Sequence, residues 1–197
     1  MIEEAIEAAI DAFVHQDVRK AQSIIRGDDE INQCEKDIES LCMRLLLEQQ
    51  PVARDLRQIS SALKMITDME RIGDHASDIS EMTILMSSTK YAGGVDHLQA
   101  MACETMKMLH ESVDAFVRRD LSLAATVIES DDKVDDLFLQ VKEEIIDVII
   151  AQKKNGEEAI DLLMVAKYFE RIGDHATNIA EWVVYSITGN HDAEVTE

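Results

Sequence analysis

The sequence predicts an all-α protein built from two tandem antiparallel three-helix bundles that are related by an internal repeat. Composition favours helices, because the 197 residues include only seven Gly and one Pro and only 4 % aromatic residues. Strands are enriched in aromatic and β-branched residues and need frequent turns. Apolar residues make up 46 % of the chain, which argues for a packed core and against disorder.

The repeat is visible as two motifs that each occur twice. ERIGDHASDISE begins at Glu70 and ERIGDHATNIAE begins at Glu170, which is 100 positions later. AFVHQD begins at Ala12 and AFVRRD at Ala115, which is 103 positions later. The first copy therefore holds about three extra residues between the two motifs.

Turn and capping signals predict six helices, with the usual uncertainty in their ends, at about residues 2–15, 18–49, 52–89, 95–118, 121–153 and 157–188. Asp17 and Asp120 are predicted N-caps of the second and fifth helices. Pro51 is predicted to start the third helix, where its missing N–H costs little. Asn155 and Gly156 predict the turn before the sixth helix.

The stretch Tyr91–Gly94 is the predicted linker between the repeats. It divides the chain into a first three-helix repeat at residues 1–91 and a second at residues 95–190. Short connections make consecutive helices antiparallel neighbours. The first helix is shorter than its counterpart, either because the chain starts within it or because this copy is trimmed.

The charge excludes some partners and favours others. A net charge of −21 offers no basic surface for nucleic acid and is repelled by anionic membranes. It suits cations or basic partner surfaces, although solubility alone is an equal explanation. Three cysteines without a CxxC motif favour a reducing cytoplasm over disulfides. No apolar run is long enough to span a bilayer.

Acidic residues recur every four positions within the repeated motif. At about 100° per residue, Glu70, Asp74 and Asp78 lie on one narrow face of the third helix. Glu170 and Asp174 do the same in the sixth helix, where Asn178 takes the third position. This face continues a row of apolar positions, so we expect the carboxylates to line a half-buried groove.

The preceding helix of each repeat carries acids that face this groove. In a hairpin that turns near residue 51, positions 28–32 lie opposite about 70–74, and the second repeat follows the same arithmetic. The residues expected to converge on the motif carboxylates are Asp28, Asp29 and Asn32 in the first repeat and Asp131, Asp132 and Asp135 in the second.

Clustered carboxylates of this kind suit hard cations such as Mg, Mn, Ca or iron. An ordinary acidic helix face is the competing explanation at even weight. Two functional alternatives also stay open. One is a carboxylate-bridged metal oxidase or storage protein, although the sequence lacks the Glu-x-x-His motif of ferritin-like di-iron sites. The other is a metal-free helical adaptor that docks onto a basic partner.

The remaining residues of the motif have structural expectations. Gly73 and Gly173 cost about 1 kcal/mol in a helix interior, so close helix packing or room for an ion should compensate. His75 and His175 point away from the acidic face, and we expect packing or hydrogen-bonding roles rather than metal ligation. Nothing in the sequence indicates a nucleophile with its base or a phosphate-binding glycine loop, so no enzyme activity is expected.

INQCEKDI (Ile31–Ile38), QQPVARDLR (Gln49–Arg57) and the two ERIGDHA motifs together resemble the PhoU-type phosphate-uptake regulators of bacteria. The resemblance covers nearly the whole chain and implies two pseudo-symmetric three-helix bundles. It also implies metal clusters, often iron, held by E/D-x-x-x-D motifs, with Mg, Mn, Ca and Zn left open. Carried over, the ligands are Glu70, Asp74 and Asp78 in one repeat and Glu170 and Asp174 in the other.

The resemblance further implies a cytoplasmic, often dimeric adaptor that is not an enzyme. Such proteins couple the ATPase subunit of the high-affinity phosphate ABC transporter to a phosphate-sensing histidine kinase. They repress the phosphate-starvation response when phosphate is plentiful. The chain departs from the family pattern at Asn178, where an acid is usual. This departure predicts a weaker or smaller metal site in the second repeat.

Overall fold

A computed structural model describes residues 1–88, 96–151 and 156–190, which form six α-helices and no strand. The helices are α1 (Ile2–His15), α2 (Val18–Gln49), α3 (Arg54–Leu85), α4 (Asp96–Arg118), α5 (Leu121–Ala151) and α6 (Gly156–Thr188), and a short 3₁₀ helix (Met86–Ser88) follows α3. The predicted linker Tyr91–Gly94 and Asn155 of the predicted turn lie outside the described residues.

Both repeats begin their second helix with the same cap. Asp17 Oδ1 accepts hydrogen bonds from the backbone N–H groups of Arg19 (3.0 Å) and Lys20 (3.1 Å). Asp120 Oδ1 accepts one from the N–H of Leu123 (3.1 Å). These contacts confirm the predicted caps, and such caps contribute about 1 kcal/mol each.

The prediction for Pro51 is wrong, because α3 begins at Arg54 rather than beside the proline. Gln50 ends α2 in the left-handed conformation with φ of 46°. The chain then uses Pro51–Ala53 to reverse its direction before the first turn of α3 forms. Pro51 therefore lies in the connection, where its fixed φ still suits a turn.

Each repeat is a three-helix bundle, and the two bundles pack against each other. In the first bundle α2 packs along α3 and α1 packs on both; in the second, α5 packs along α6 and α4 packs on both. Contacts between α3 and α6 join the two bundles. Buried residues of both bundles, including Ile72 of α3 and Ile172 of α6, belong to one continuous hydrophobic core. The tandem all-α fold predicted from the repeat is confirmed.

The motif glycines allow each long hairpin to close tightly. A Cβ atom added at Gly73 would lie 3.0 Å from Ile31 Cγ2, and one added at Gly173 would lie 3.3 Å from Val134 Cγ1. Ile31 and Val134 occupy equivalent positions on α2 and α5. Close helix approach is thus what compensates for glycine in the middle of both helices, and it brings the carboxylates of facing helices together.

The structure also describes the cysteines and the apolar character of the helices. All three cysteines, Cys34, Cys42 and Cys103, are free thiols, in line with the absence of a disulfide motif. Among the described residues, no helix is both long and apolar enough to span a lipid bilayer.

Candidate functional site

In each hairpin, acidic residues on the two facing helices line a shared groove. We define the first acidic seam as Asp28, Asp29, Asn32 and Glu35 on α2 with Glu70 and Asp74 on α3. The second acidic seam consists of Asp131, Asp132 and Asp135 on α5 with Glu170 and Asp174 on α6. In each seam the two helices contribute carboxylates that act electrostatically on one another, as the hairpin arithmetic predicted.

Asp28 lies at the centre of the first seam. Desolvation by burial raises the pKa of its carboxyl, and the nearby charge of Asp74 raises it further. Asn32 Nδ2 donates to Asp28 Oδ2 at 2.9 Å, and the Ser77 hydroxyl also hydrogen-bonds to this side chain. Asp28 Oδ1 and Asn32 Oδ1 are buried oxygens without a hydrogen-bond partner. The centre of the seam therefore presents acceptors that no donor satisfies.

Glu70 and Asp74 form the α3 side of the first seam. Burial raises the pKa of Glu70, and the charges of Asp74, Glu35 and Asp28 add to this, while Arg71 opposes it. Arg71 Nη1 lies 2.9 Å from Asp74 Oδ2, and its Nε lies 3.5 Å from Glu70 Oε2. The Arg71 side chain is 56 % exposed, so it neutralises the rim of the seam rather than its centre.

The second seam repeats this arrangement of acids, with a lysine as the cation that pairs with its motif glutamate. The Thr177 hydroxyl donates to Asp131 Oδ1 at 3.2 Å, which matches the contact of Ser77 with Asp28. The Lys167 ammonium contacts Glu170 Oε1. Glu170 is more enclosed than Glu70, since its side chain is 14 % exposed, and its Oε2 is buried without a partner.

Desolvation is also the largest cause of the raised carboxyl pKa values in the second seam. It raises the pKa of Asp174, which the charges of Glu170 and Asp131 raise further, although the residue as a whole is exposed. It likewise raises the pKa of Asp135, with Asp131 and Glu170 contributing. Asp29 and Asp132 are exposed and lie at the rims of their seams.

The donor set of the seams suits a hard cation. Carboxylate and amide oxygens are the ligands that such ions prefer, and the partnerless buried oxygens of Asp28, Asn32 and Glu170 lack what a cation would supply. Within the described part of the chain, no three carboxylate, imidazole or thiol groups already stand close enough to hold one ion. Like charges repel, so a bound ion would have to draw these side chains together. Metal binding thus stays a prediction.

Asp78 and the two motif histidines meet at a different place, where α3 packs on α6. His75 Nδ1 lies 3.0 Å from Asp78 Oδ2, and the His75 ring lies 5.8 Å from that of His175 between centroids. Burial is the main cause that lowers the pKa of His75. The carboxylate of Asp78 is therefore already engaged by an imidazole, and its predicted role as a metal ligand stays a prediction.

The second motif reaches across to the first repeat for its partner. His175 Nδ1 lies 2.8 Å from Asp68 Oδ1, and Asn178 Nδ2 donates to the same oxygen at 3.1 Å. The position equivalent to Asp68 in the second repeat is Tyr168, whose ring stacks on His75 at 5.7 Å. Each motif histidine thus packs on the same position of the other repeat.

This packing explains the difference between Asp78 and Asn178 without a metal ion. His75 faces a tyrosine across the interface, and Asp78 of its own helix supplies its acceptor. His175 faces Asp68, which already supplies an acceptor, and Asn178 then acts as a donor to that carboxylate. The histidines have the hydrogen-bonding and packing roles that the helical wheel predicted for them.

Sequence reasoning missed four kinds of residue in and around the seams. They are the hydroxyls of Ser77 and Thr177, the additional acid Glu35, the cation Lys167, and the inter-repeat acceptor Asp68. The hydroxyls and Lys167 could have been predicted from the sequence, because each lies one helical turn from a motif acid on the same helix. Asp68 had none, because its partner belongs to the other repeat.

Comparison with known proteins places both repeats in one family. The family model described as "PhoU domain" matches residues 1–83 and again residues 98–183. A relative from Clostridium acetobutylicum, the "Phosphate-specific transport system accessory protein PhoU homolog", is 38 % identical over 190 residues. That match covers 96 % of this chain and 87 % of the relative.

Two solved structures share the fold. The crystal structure of PhoU from Pseudomonas aeruginosa is 34 % identical with a TM-score of 0.92, and the match covers 96 % of this chain and 91 % of that one. The phosphate transport system regulatory protein PhoU from Streptococcus pneumoniae is 30 % identical with a TM-score of 0.87, over 96 % of this chain and 89 % of that one.

Proposed function

The chain belongs to the PhoU family, and on that premise we propose that it is an accessory regulator of phosphate uptake. The observation that carries this proposal is that both repeats match, with nearly the full length of solved family members superposing on the chain. Relatives with this architecture are named as accessory or regulatory proteins of phosphate transport rather than as enzymes.

In this proposal the protein works as a cytoplasmic adaptor. It binds the ATPase subunit of the phosphate transporter and a phosphate-sensing histidine kinase, and it represses the starvation response when phosphate is plentiful. Contacts with the transporter are made by helix surfaces. The strong negative charge favours partner surfaces that are basic. A homodimer would present two copies of these surfaces.

The acidic seams are the proposed metal sites. Asp28, Glu70 and Asp74 would hold an ion in the first repeat, and Asp131, Glu170 and Asp174 in the second, with Asp29, Asp132 and Asp135 at or near the edges. Asp78 is retained as a proposed further ligand. Iron is the foremost candidate, with Mg, Mn, Ca and Zn as alternatives. A bound cation supplies positive charge that neutralises the seam and ties the two helices of the hairpin together.

The regulator proposal is tested by co-purification and by a reporter in cells. Tagged protein is used to capture the transporter ATPase subunit and the histidine kinase, with and without added metal. In parallel, a starvation-responsive promoter is followed in a strain that lacks the protein and in the complemented strain. We expect capture of both partners and restored repression at high phosphate. Absence of both effects would contradict the regulator role.

The metal proposal is tested by the metal content of protein purified without chelator. The double variant Glu70→Gln with Asp74→Asn keeps the shape of both side chains and removes their charge. We expect it to lose metal, whereas the control Glu39→Gln, an exposed acid on α2, keeps it. Equal metal content in wild type and the double variant would remove the first seam as a metal site.

A further inference from the structure

Lys167 gives the second acidic seam a cation of its own. From α6, its ammonium contacts Glu170 Oε1 one turn along the helix. The same nitrogen lies 5.4 Å from the ring centroid of Phe138 on the facing helix α5. A lysine held by a carboxylate and over an aromatic face is fixed in position by both contacts. Lys167 therefore spans the seam from one helix to the other.

The charge of Lys167 acts on the carboxylates that surround it. Its positive charge lowers the pKa of both Asp135 and Asp174, in opposition to the neighbouring acids that raise them. It thus reaches acids on both sides of the second seam. This is the role that an added metal ion would otherwise have.

The first seam has no equivalent of this arrangement. The position equivalent to Lys167 is Thr67, whose hydroxyl bonds to the carbonyl of Leu63 at 3.4 Å. The position equivalent to Phe138 is Glu35, which adds a negative charge near Glu70. Where the second repeat has a lysine on a phenylalanine, the first repeat has a neutral residue and one more carboxylate.

The two motif arginines have different neighbours. Arg71 is paired with Glu70 and Asp74 at the exposed rim of the first seam, and the second repeat has Arg171 at the equivalent position. The charge of Arg171 acts on His75 and Tyr168 at the contact between the repeats. Lys167 is therefore the cation that pairs with a motif carboxylate in the second seam.

We propose that Lys167 is a built-in counter-ion that occupies the cation position of the second seam, so that a multivalent cation loads the first seam preferentially. The inference rests on the proposed metal binding. It adds that the first repeat binds the cation preferentially and that Lys167 causes this preference. A metal ion entering the second seam must displace the ammonium from Glu170 and then remain close to its positive charge. In the first seam the ion has to displace the side chain of Arg71 from Glu70 and Asp74, but this side chain is 56 % exposed and lies at the rim.

Exchanging the two equivalent residues tests this inference. The variants are Lys167→Thr, Thr67→Lys and the double exchange, with Mn²⁺ as the probe. Lys167→Met is a second variant that keeps the apolar stem of the side chain and removes only its charge. Lys107→Thr is the control, because Lys107 is a half-exposed lysine on α4 that pairs with Glu104 outside both seams.

Bound Mn²⁺ per chain and its dissociation constants are measured by calorimetry and elemental analysis. Wild type should show one tight class of site. Lys167→Thr and Lys167→Met should lower the dissociation constant of Mn²⁺ at the second seam about tenfold or more, which corresponds to about 1.4 kcal/mol. A second class of site should then become measurable. Thr67→Lys should weaken the first class by a similar factor. The double exchange should restore one tight class, now in the second repeat, and Lys107→Thr should match wild type.

The possible failures are distinguishable. If both Lys167 variants bind Mn²⁺ as wild type does, or if wild type already binds two ions equally tightly, the inference is overturned while the metal proposal stands. If neither wild type nor any variant binds Mn²⁺ or iron, the metal proposal itself is overturned, and the inference with it. Circular dichroism of each variant establishes that the compared proteins are folded.

Discussion

The two acidic seams are built on the same helix pairs and motifs, yet their charges are balanced in different ways. The first seam leaves Asp28 Oδ1 and Asn32 Oδ1 buried without partners and adds the acid Glu35. The second seam encloses Glu170 more fully and provides Lys167 as its cation. The two repeats therefore share the backbone plan of the hairpin, while single substitutions at equivalent positions change the charge that each groove presents.

The motif histidines show a second asymmetry of the same kind. His175 obtains its acceptor from the other repeat at Asp68, whereas His75 obtains it from Asp78 on its own helix. The substitution of Tyr168 at the position equivalent to Asp68 accounts for this difference. Asp78 and Asn178 are thus part of the contact between repeats, and their difference is not by itself a measure of metal affinity.

The largest stability effect should come from the acceptor that links the repeats. Asp68→Ala removes the carboxylate shared by His175 and Asn178, and its side chain is only 16 % exposed. Two side chains, the half-buried imidazole of His175 and the amide of Asn178, lose their acceptor at once, which should lower the free energy of unfolding by about 2–3 kcal/mol. The matched variant Asp78→Ala should cost about 1 kcal/mol, because Asp78 is more exposed and serves one histidine within its own helix.

Urea unfolding of the two variants against wild type measures this difference. Equal costs for Asp68→Ala and Asp78→Ala would show that the contact between repeats contributes no more than the contact within one helix. A larger cost for Asp78→Ala would reverse the comparison between the two histidines.

The next largest effect on stability is expected from alanine substitutions at the two motif glycines. A methyl group at Gly73 meets Ile31 at 3.0 Å, whereas one at Gly173 meets Val134 at 3.3 Å. Alanine gains about 1 kcal/mol of helix propensity at either position, and overpacking costs about 1–3 kcal/mol where the neighbour cannot move. We expect Gly73→Ala to destabilise by about 1 kcal/mol and Gly173→Ala to be near neutral. Thermal unfolding of both variants tests this, and a more damaging Gly173→Ala would refute it.

A smaller effect should appear when one seam carboxylate loses its charge. Asp174→Asn should stabilise the metal-free protein at neutral pH by a few tenths of a kcal/mol, about the size of a like-charge pair on a helix. The folded-state pKa of Asp174 is raised, so the folded state binds its proton more tightly than the unfolded state. The stability associated with that proton is present at low pH and is lost as pH rises through the raised pKa.

The advantage of Asp174→Asn over wild type should therefore grow as pH rises through that pKa and should vanish below the ordinary aspartate pKa of about 3.9. Urea unfolding with chelator at about pH 3.5 and about pH 7.5 compares the two proteins in both regimes. A gain that is the same at both values, or a loss at neutral pH, would contradict the electrostatic account of this seam.

The sequence was informative wherever one helix or one hairpin decides the outcome. Asp17 and Asp120 were recognisable as caps because capping is local. Counting residues on either side of the hairpin turn near residue 51 predicted that Asp28 lies close to Glu70 and Asp74. Pro51 was misplaced because proline suits both a first helical turn and a connection, and the reversal of the chain at Gln50 decides between them.

Contacts between the repeats could not be derived in this way. A helical wheel shows which face of α3 carries Asp68, but it does not say which residue of α6 lies opposite. Lys167 was different, because comparing the repeats position by position pairs it with Thr67 and exposes the substitution. The sequence does not show that its ammonium lies between Glu170 and Phe138, because that contact depends on how α5 and α6 pack.

The most direct test of unequal seams is to locate the ion itself. Crystals grown with one equivalent of Mn²⁺ per chain would be measured at an X-ray energy where manganese scatters anomalously. We expect an anomalous peak beside the carboxylates of Glu70 and Asp74, with none of comparable height beside Glu170. Peaks of equal height in both seams, or a peak only beside Glu170 and Asp174, would contradict it.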